Sequence, residues 1–432
     1  MTNQEKQTRS FMQEELQAYS QRVCRNQSLP VTKFVRDMLF GICGTGSPSV
    51  FNLAKFIQNK VSTKKTSERL YRNLRREGLA AELQNELYQI VGRRIKSDTF
   101  IIVDESDIIK PYAQKMEDLS YVYDGSKKET APGYNLLNLF ACTSHDEGYN
   151  LLPVSSTMYS NDGDPGMSHG ILQDKLIDAC LASGSRGIYL FDRGYDDRKL
   201  LMFLKENGMS YVIRGKGKRF TVENQKETSF QKAIAKLDYK YELASFRKDE
   251  KLCCATQKVT YRTDDHPSRK ANTVEVDLVV VKEFDKKGKC YGEFYLLCDF
   301  GTRQYSELEL IQKAITSYGM RWKIEEAHRH IKQSYNWEKM RLASFTGLEN
   351  LNMLLFLAVY FVYSSKEMIV RLAVTFPKLI CFKNKDWAKL HKFMYYRIAQ
   401  VFRLCFDRLT FYNTSPYRYQ VTELLQIKIR LI

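Results

Sequence analysis

The chain has 432 residues, which is enough for two or three domains around at least one sizeable core. Its 67 Lys and Arg against 50 Asp and Glu give a net charge of +17, which indicates a polyanionic partner, nucleic acid before a membrane surface. The ten cysteines include no C-x2-C pair, which argues against a zinc module or a disulfide framework and favours a cytoplasmic protein. The longest apolar run, Met353 to Tyr363, is too short to cross a bilayer and predicts a buried helix.

The first quarter of the chain has the periodicity of helices only. Glycines at positions 44, 46 and 78 interrupt the pattern, and the opening residues lack the apolar segment of a signal peptide. Residues 1–98 carry 17 Lys and Arg against 9 Asp and Glu, so nearly half of the excess positive charge lies here. The predicted helices cover residues 4–25, 31–40, 48–61, 66–76 and 79–94.

A basic stripe follows the fourth of these helices. Arg69, Arg72 and Arg76 fall on one face of the predicted helix, and Leu70 and Leu74 point away from it. A stripe of this kind can follow the phosphates of DNA. The same pattern also fits a basic face that is only solvated.

From residue 99 the pattern changes to that of an α/β unit. Two buried runs end in an aspartate, TFIIVD in Asp104 and GIYLFD in Asp192. The predicted order is three strands, a helix, a strand, a helix and a strand, which is typical of a ribonuclease-H-like core. The predicted strands lie at residues 99–104, 135–144, 150–160, 187–192 and 210–215.

The remainder of the chain divides into a β-rich part and a helical part. Several strand-like runs precede GEFYLLCDF at 292–300, and helical patterns follow Lys339 to the end of the chain. The sequence therefore predicts a multi-domain α/β protein with helical regions on both sides of a ribonuclease-H-like core. The predicted divisions are a helical domain at 1–97 that carries the basic stripe, the core at 98–215 and 301–345, a β-rich insertion at 216–300, and a helical region at 346–432 that packs on the core and is a candidate dimer surface.

The stretch YGMRWKIEEAHRHIK, residues 318–332, predicts one continuous helix because it has no proline and no run of β-branched residues. At about 100° per residue, four of its polar side chains share a stripe about 60° wide. These are Tyr318, Arg321, Glu325 and Lys332. Glu326 falls off this stripe, which favours Glu325 as the functional member of the adjacent pair. The geometry alone also fits a solvated helix face with ion pairs along it.

Asp104, Asp192 and Glu325 form a set of three candidate carboxylates. Placed together they would repel one another unless a cation holds them, and their hard oxygen ligands suit Mg²⁺. Two such ions about 3.5–4 Å apart can clamp the attacking and leaving oxygens of a phosphoryl displacement. Either aspartate alone also fits a solvated strand end.

Other candidate ligands rank lower. His328 and His330 would project about 200° apart on a helix, so they cannot share a metal ion. Asp107, Asp196 and Asp197 lie beyond the ends of the predicted strands, where their side chains are less well placed than Asp104 and Asp192.

Three segments in this order resemble the motif blocks of bacterial insertion-sequence transposases, the DDE group named after insertion sequence four. The spacing Y-x2-R-x3-E-x6-K at 318–332 resembles the Y-R-E-K signature of that group. The segments 103–126 and 191–197 resemble the blocks around its first and second aspartates. The likeness runs from about residue 98 to 365, and the N-terminal region resembles the DNA-binding region of the group.

The resemblance implies a metal-dependent transposase that cuts at transposon ends and joins the 3′-hydroxyl to target DNA. Asp104 would bridge two Mg²⁺ ions, for which Mn²⁺ can substitute, and Asp192 and Glu325 would each hold one. The residues that would grip phosphates of the transposon end are Tyr318, Arg321 and Lys332. The implied partners are double-stranded DNA, as terminal inverted repeats and as target, and a second copy of the chain on paired ends. The expected location is the bacterial cytoplasm at the nucleoid, with no membrane partner.

The β-rich insertion departs from the better-known relatives at one position. In those proteins a tryptophan in the insertion stacks a flipped base during hairpin formation, and residues 216–300 contain no tryptophan. The nearest equivalents are Phe294 and Tyr295, whose side chains alternate to opposite faces of one strand. Only one of them can point at the site, and Phe294 is the first candidate. A place in the core of the sheet is the alternative for its ring.

Two alternatives to a transposase remain open from the sequence. A ribonuclease-H-like endonuclease would cut DNA and never join it. A catalytically silent relic of a transposase would bind DNA as a regulator, although an intact set of Asp104, Asp192, Glu325 and the Y-R-E-K residues argues against drift.

Overall fold

The computed structural model describes most of the chain. The described residues are 3–57, 61–125, 127–145, 148–160, 167–218, 220–223, 226–244, 250–262, 273–376, 380 and 394–406. Much of the predicted helical C-terminal region, namely residues 377–379, 381–393 and 407–432, lies outside the described residues.

The N-terminal quarter is helical, as its periodicity predicts. Ser62 begins the fourth helix, because its hydroxyl accepts a hydrogen bond from the Lys65 amide. The second helix ends at Gly46, whose φ of 63° lies in the left-handed region that glycine adopts without strain. The helices are α1 (Asn3–Val23), α2 (Leu29–Thr45), α3 (Val50–Ile57), α4 (Thr63–Leu74) and α5 (Leu79–Gly92).

The basic stripe on α4 differs from the prediction. The helix ends at Leu74, so Arg76 follows it and does not continue the face that Arg69 and Arg72 share. The amide of Asn350, a buried residue, donates hydrogen bonds to the carbonyls of Leu74 and Arg76, at 2.8 Å each. The contact with Leu74 satisfies a carbonyl group that the helix leaves without a partner at its end, and the contact with Arg76 holds the segment that follows. The prediction of three arginines on one helical face is therefore wrong for Arg76.

Arg69 also has an internal partner. Its Nη2 atom lies 2.7 Å from Oδ2 of Asp37, and the Asp37 side chain is completely buried between α2 and α4. Nη2 of Arg36 lies 3.2 Å from the other oxygen of the same carboxylate. A buried carboxylate needs such partners to remain charged. Arg69 therefore joins α4 to α2, whereas Arg72 and Arg76 are exposed.

A large mixed sheet forms the centre of the protein. Its central strand pairs antiparallel with the third strand and parallel with the fifth, and the sixth lies parallel to the fifth. The second and fourth strands both pair antiparallel with the third. The elements are β1 (Phe100–Ile109), β2 (Ser120–Asp124), β3 (Glu129–His145), β4 (Gly148–Tyr159), α6 (Met167–Ser183), β5 (Ile188–Phe191), α7 (Arg198–Glu206) and β6 (Ser210–Gly215).

The central strand β1 is longer than the prediction. It pairs with β3 as far as Ile109, five residues beyond Asp104, although these residues are mostly polar. The apolar run stops at Asp104 because the strand leaves the buried centre there, while its backbone pairing continues. Asp107 therefore lies within β1, and the reason for ranking it below Asp104 was wrong.

The strands of the predicted insertion continue the same sheet. The twelfth strand pairs antiparallel with β6, and the eleventh and tenth follow it outward. Region 216–300 is thus β-rich and hydrogen-bonded to the central strands. Its elements are β7 (Phe220–Glu223), β8 (Lys226–Ser229), α8 (Phe230–Ile234), β9 (Tyr241–Ala244), β10 (Lys251–Arg262), β11 (Thr273–Phe284) and β12 (Cys290–Asp299). The division of the chain into separate domains stays a prediction.

Residues 318–332 form parts of two helices and not the single helix predicted. The first ends at Met320 and the second begins at Lys323. At the junction the amides of Arg321, Ile324 and Glu325 bond to carbonyls three residues earlier, at 3.0–3.2 Å, so the turn is tighter than an α-helix. The helices of this part are α9 (Glu307–Met320), α10 (Lys323–Tyr335), α11 (Phe345–Ser364), α12 (Ile369–Thr375) and α13 (Tyr395–Cys405).

Helix α11 is the main element of the core outside the sheet. The segment Phe345–Met368 has the length and apolarity of a membrane-spanning helix, but 83% of its apolar window is buried inside the protein. It packs against β4 of the sheet and against α2 and α5 of the N-terminal region. Sheet and flanking helices thus share one hydrophobic core. The prediction of a buried helix at Met353 to Tyr363 is confirmed.

The contrast between Arg69 and Arg72 gives a stability prediction. Arg69→Ala should lower the free energy of unfolding by about 1–3 kcal/mol, because it removes a partner of the buried Asp37 carboxylate. Arg72→Ala, an equal truncation of an exposed side chain on the same helix, should change it by less than about 0.5 kcal/mol. Urea unfolding of both variants measures this difference. Equal losses would show that the Arg69–Asp37 contact contributes nothing particular to stability.

Candidate active site

Asp104 lies in the middle of β1, the central strand of the sheet. Its Oδ1 atom accepts a hydrogen bond from the Glu105 amide at 3.1 Å. Burial raises the pKa of Asp104 to about 7; the charge of Arg321 opposes this rise, and the charges of Asp192 and Glu325 add to it. A carboxyl group with so raised a pKa, surrounded by charged partners, is typical of a functional site.

Asp192 follows directly on β5, the parallel neighbour of β1. The paired residues Ile102 and Leu190 each precede an aspartate by two positions, so Asp104 and Asp192 lie at the same level of adjacent strands. Neighbouring strands are about 4.8 Å apart. Oδ1 of Asp192 accepts a hydrogen bond from the Arg193 amide, and Asp192 thereby caps the 3-10 helix Arg193–Tyr195. This hydrogen bond fixes the carboxylate at the end of β5.

Glu325 enters the same cluster from the first turn of α10. Its Oε1 atom lies 2.7 Å from Nη2 of Arg321, whose side chain is only 10% exposed. Burial by itself lowers the pKa of Arg321. The hydrogen bond to Glu325 and the interactions with Tyr318, Asp104 and Asp192 outweigh burial, and the pKa rises. Arg321 therefore pairs with Glu325 and interacts favourably with the charges of Asp104 and Asp192, which come from two other parts of the chain.

The donor set of this cluster has the chemistry of a magnesium site. Carboxylate oxygens are the ligands that hard divalent cations prefer. Over the residues that the structure describes, however, no three Asp, Glu, His or Cys side chains stand in ligand geometry. At this cluster the guanidinium of Arg321 lies against Glu325. A divalent cation that used the same oxygen of Glu325 as a ligand would take the place of Arg321.

Tyr318 and Lys332 lie on either side of the cluster. The guanidinium of Arg321 lies 5.9 Å from the ring centre of Tyr318, at the end of α9. Lys332, further along α10, places its Nζ atom 3.6 Å from Asp107 and 3.2 Å from Glu338. The structure thus gathers Tyr318 and Arg321 at the acidic cluster and pairs Lys332 with two neighbouring carboxylates.

Of the two candidate stacking residues, Phe294 faces the cluster. Its ring centre lies 6.3 Å from that of Tyr318, and the guanidinium of Arg214 lies 5.8 Å from it. Tyr295 points to the other face of β12, where its ring packs edge-on against Phe230 at 4.6 Å. The alternation of the strand therefore separates the two side chains, as the sequence indicates.

The lower-ranked aspartates have structural partners. Asp196 is buried, and its Oδ2 atom accepts a hydrogen bond from the Lys216 amide at 2.6 Å. Asp197 begins α7 by accepting hydrogen bonds from the amides of Lys199 and Leu200. Both carboxylates hold backbone segments beside the cluster.

The two histidines of α10 face different surroundings. Nε2 of His328 lies 3.2 Å from the amide nitrogen of Asn138, and Nδ1 of His330 lies 2.9 Å from the hydroxyl oxygen of Tyr363. Burial lowers the pKa of each imidazole to about 3. The prediction that they do not share a metal ion agrees with these separate partners.

The comparison with known proteins assigns this site to a family. Residues 95–361, more than half of the chain, match the family model described as transposase DDE domain. The chain belongs to this family. The matched residues include Asp104, Asp192 and Glu325. No curated protein matches the chain. Transposases act on DNA, a substrate that suits the net charge of +17.

Two aromatic residues beside the acidic cluster are not among the candidates that the sequence patterns above single out. Tyr195 ends the 3-10 helix after Asp192, and its buried hydroxyl has no hydrogen-bond partner among the described residues. Burial, and then the charges of Glu105 and Asp104, raises its pKa well above the ordinary value. Trp322 is 51% exposed at the turn between α9 and α10. Both residues fall inside the motif blocks, where an aromatic beside each acidic position is the available signal.

The raised pKa of Asp104 predicts a pH-dependent gain in stability for Asp104→Asn without divalent cations or DNA. The Asp104 carboxyl group binds its proton more tightly in the folded protein than in the unfolded chain, where its pKa is near 3.8. The free energy of unfolding of the wild type therefore falls as the pH rises toward 7. The advantage of the variant should therefore grow by about 2–3 kcal/mol between pH 5 and pH 8.

Urea unfolding at the two pH values measures this gain, with Asp174→Asn, an exposed carboxylate on α6, as the control. A variant that is no more stable than the wild type at pH 8 would contradict the raised pKa.

Proposed function

We propose that this protein is a cut-and-paste DNA transposase of the insertion-sequence-four-like group. It cuts DNA at the ends of its element and joins the freed 3′-hydroxyl to target DNA. The observation that carries this proposal is the convergence of Asp104, Asp192 and Glu325 on Arg321. The Y-R-E-K spacing at 318–332 supports the assignment to this group.

The topology supports a ribonuclease-H-like catalytic core. Strands β4, β3, β1, β5 and β6 lie side by side in this order, and β3 alone runs antiparallel to the other four. This arrangement fits the predicted order of three strands, a helix, a strand, a helix and a strand. It places Asp104 on the central strand and Asp192 at the end of its parallel neighbour, where ligands of open α/β sheets bind.

Asp104, Asp192 and Glu325 would hold two Mg²⁺ ions, for which Mn²⁺ can substitute, with Asp104 shared between them. Bound ions of this kind stabilise the charge on the attacking and leaving oxygens of a phosphodiester. The sheet supplies the two aspartates at a fixed separation, because their strands are hydrogen-bonded at the preceding residues. Helix α10 supplies the third carboxylate over the same end of the sheet.

Arg321 would exchange Glu325 for a DNA phosphate. A guanidinium binds carboxylate and phosphate oxygens with the same planar donor geometry. Its departure from Glu325 would free that carboxylate for a cation, so DNA binding and formation of the metal site would support each other. Tyr318, beside Arg321, and Lys332, whose side chain is 29% exposed next to Asp107, would add donors to neighbouring phosphates.

The N-terminal helices would bind the terminal repeats. Arg72 and Arg76 are exposed and available to phosphates, whereas the contact of Arg69 with Asp37 gives that arginine a structural role. Two copies of the chain would act on paired ends, in the bacterial cytoplasm at the nucleoid.

The alternatives are separated by one biochemical comparison. The protein is incubated with Mg²⁺ and DNA that carries the terminal repeats, and separately with a pre-cut end and target DNA. A transposase cuts the first substrate and joins the second. An endonuclease cuts without joining, and a silent regulator binds and does neither.

The carboxylates give the most specific prediction for activity. Asp104→Asn, Asp192→Asn and Glu325→Gln should each abolish cutting and joining and leave DNA binding intact, because each removes a cation ligand. Glu326→Gln is the matched control, since Glu326 turns to the other side of α10 and bonds Tyr149 and Lys323 at 2.7 and 3.1 Å. Strand cutting is followed on denaturing gels. An active Glu325→Gln protein beside an inactive Glu326→Gln protein would refute the assignment.

Phe294 gives a prediction for a hairpin step, in which a base next to the cut must leave the stack. Unstacking costs a few kcal/mol, and an aromatic ring returns about 1–3 kcal/mol. Phe294→Ala should therefore permit the first nick and block hairpin formation, and Tyr295→Phe should leave both unchanged. Denaturing gels resolve the two products. Loss of the nick together with a lower melting temperature would instead assign the Phe294 ring to the core of the sheet.

A further inference from the structure

A row of polar side chains leads from the acidic cluster across one face of the sheet. Asp104 of β1 lies opposite Asn138 of β3, which in turn lies opposite Ser156 of β4. The side chains of directly opposite residues point to the same face of a sheet. Asn138 and Ser156 are 0% and 7% exposed, so the row continues into the interior of the protein.

Asn138 is hydrogen-bonded to the helix that carries Glu325. Its Nδ2 atom lies 3.2 Å from Nε2 of His328, the one hydrogen-bond partner of this side chain among the described residues. His328 follows Glu325 by three residues on α10, a spacing that makes two side chains neighbours on a helix surface. Burial lowers the pKa of this imidazole to about 3, so the neutral ring accepts the hydrogen bond that the amide donates. The bond thus joins the cross-strand neighbour of Asp104 to the helix of Glu325.

A second polar contact supports the same row. The amide nitrogen of Asn352 on α11 donates a hydrogen bond to the Ser156 hydroxyl at 2.9 Å. The amide oxygen of Asn352 accepts one from Nε1 of Trp337, just beyond α10, at 2.8 Å. The ring centre of Trp337 lies 6.1 Å from that of His328. The polar row is therefore enclosed between the sheet, α10 and α11.

Buried hydrogen bonds of this kind favour a single placement of a helix on a sheet. Apolar contacts lose little when a helix slides, whereas a buried polar group that loses its partner keeps the full cost of its burial. Glu326 and Lys332 of α10 also contact the sheet, but their side chains are 27% and 29% exposed, so water can replace a lost partner. The buried bond is thus the more restrictive contact.

The acidic cluster requires such a fixed placement. Glu325 comes from α10, whereas the two aspartates come from the sheet. The bond between Arg321 and Glu325 spans four residues of one helical segment, so it does not by itself set the distance from Glu325 to the aspartates. Mg²⁺ demands ligand oxygens at about 2.0–2.1 Å in nearly ideal geometry. A small shift of α10 would therefore take Glu325 out of reach.

We propose that Asn138 and His328 are positioning residues, whose buried hydrogen bond holds Glu325 at the distance from the two aspartates that a shared cation requires. The inference rests on the proposed function, since it names what places the third cation ligand. It also explains why a polar pair is kept in the interior beside the cluster.

The test compares variants of the two buried histidines of α10. His328→Ala removes the bond to Asn138, and His328→Gln keeps it, because a glutamine amide reaches the place of Nε2. His330→Ala is the matched control, since His330 is also buried and bonds Tyr363 on α11 at 2.9 Å. Mn²⁺ binding to each complex with terminal-repeat DNA is followed by electron paramagnetic resonance, with the DNA alone as the blank. Cutting is followed on denaturing gels, below the melting temperatures of all the proteins.

His328→Ala should weaken Mn²⁺ binding by about 10- to 100-fold and slow cutting, while the affinity for DNA stays unchanged. His328→Gln and His330→Ala should bind Mn²⁺ like the wild type. If His328→Ala does not fold, Asn138→Ser, which shortens the other partner, makes the same comparison.

Wild-type Mn²⁺ affinity in His328→Ala, or an equal loss in His330→Ala, would overturn the inference, because the His328 bond would then contribute to stability alone. A loss in His328→Gln as large as that in His328→Ala would overturn it as well. Wild-type protein that neither cuts the DNA nor binds Mn²⁺ in its complex would instead refute the proposed function, and the inference with it.

Discussion

The site depends on the ion pair between Arg321 and Glu325. Three carboxylates that meet at the end of a sheet repel one another, and Arg321 at 2.7 Å from Glu325 supplies the compensating positive charge. The pKa of Asp104 still rises to about 7, first because the side chain is buried and then because the charges of Asp192 and Glu325 add to the rise. A divalent cation bound there would oppose this rise and would suit the oxygen ligands.

The sheet fixes the positions of the two aspartates relative to each other. The register of β1 with β5 brings Asp104 and Asp192 to one level, and the tight turn at Arg321 lets α10 begin just where its Glu325 side chain reaches them. Helix α11 packs the sheet against the N-terminal helices in one core. DNA held by the N-terminal arginines and DNA at the acidic cluster would therefore contact one continuous structure.

The sequence predicts the strands before the two aspartates and the orientation of Glu325 well, because buried strands and charged motifs have strong local patterns. The apolar runs before Asp104 and Asp192 are strands, and Glu325 faces the cluster while Glu326 turns to Tyr149. Features that depend on distant partners escape prediction. The extension of β1 to Ile109 follows from pairing with β3.

The basic stripe is the clearest case of such a distant effect. Neither the burial of Asp37 beneath Arg69 nor the contact of Asn350 with the end of α4 has a local signal. The junction between α9 and α10 at Arg321 contains no proline, so the sequence gives no signal that the helix is interrupted there. For the basic stripe, side chains far away in the sequence decide what the local pattern leaves open.

The most direct test of the central claim is Mn²⁺ binding to the DNA-free protein, followed by electron paramagnetic resonance. If Arg321 holds the place of a cation, Arg321→Ala should bind Mn²⁺ more tightly than the wild type, because it frees Glu325 and removes a competing positive charge. Adding Asp104→Asn to this variant should abolish the gain. Equal Mn²⁺ affinity of the wild type and Arg321→Ala, or a gain that survives Asp104→Asn, would contradict the assignment of these carboxylates to a metal site.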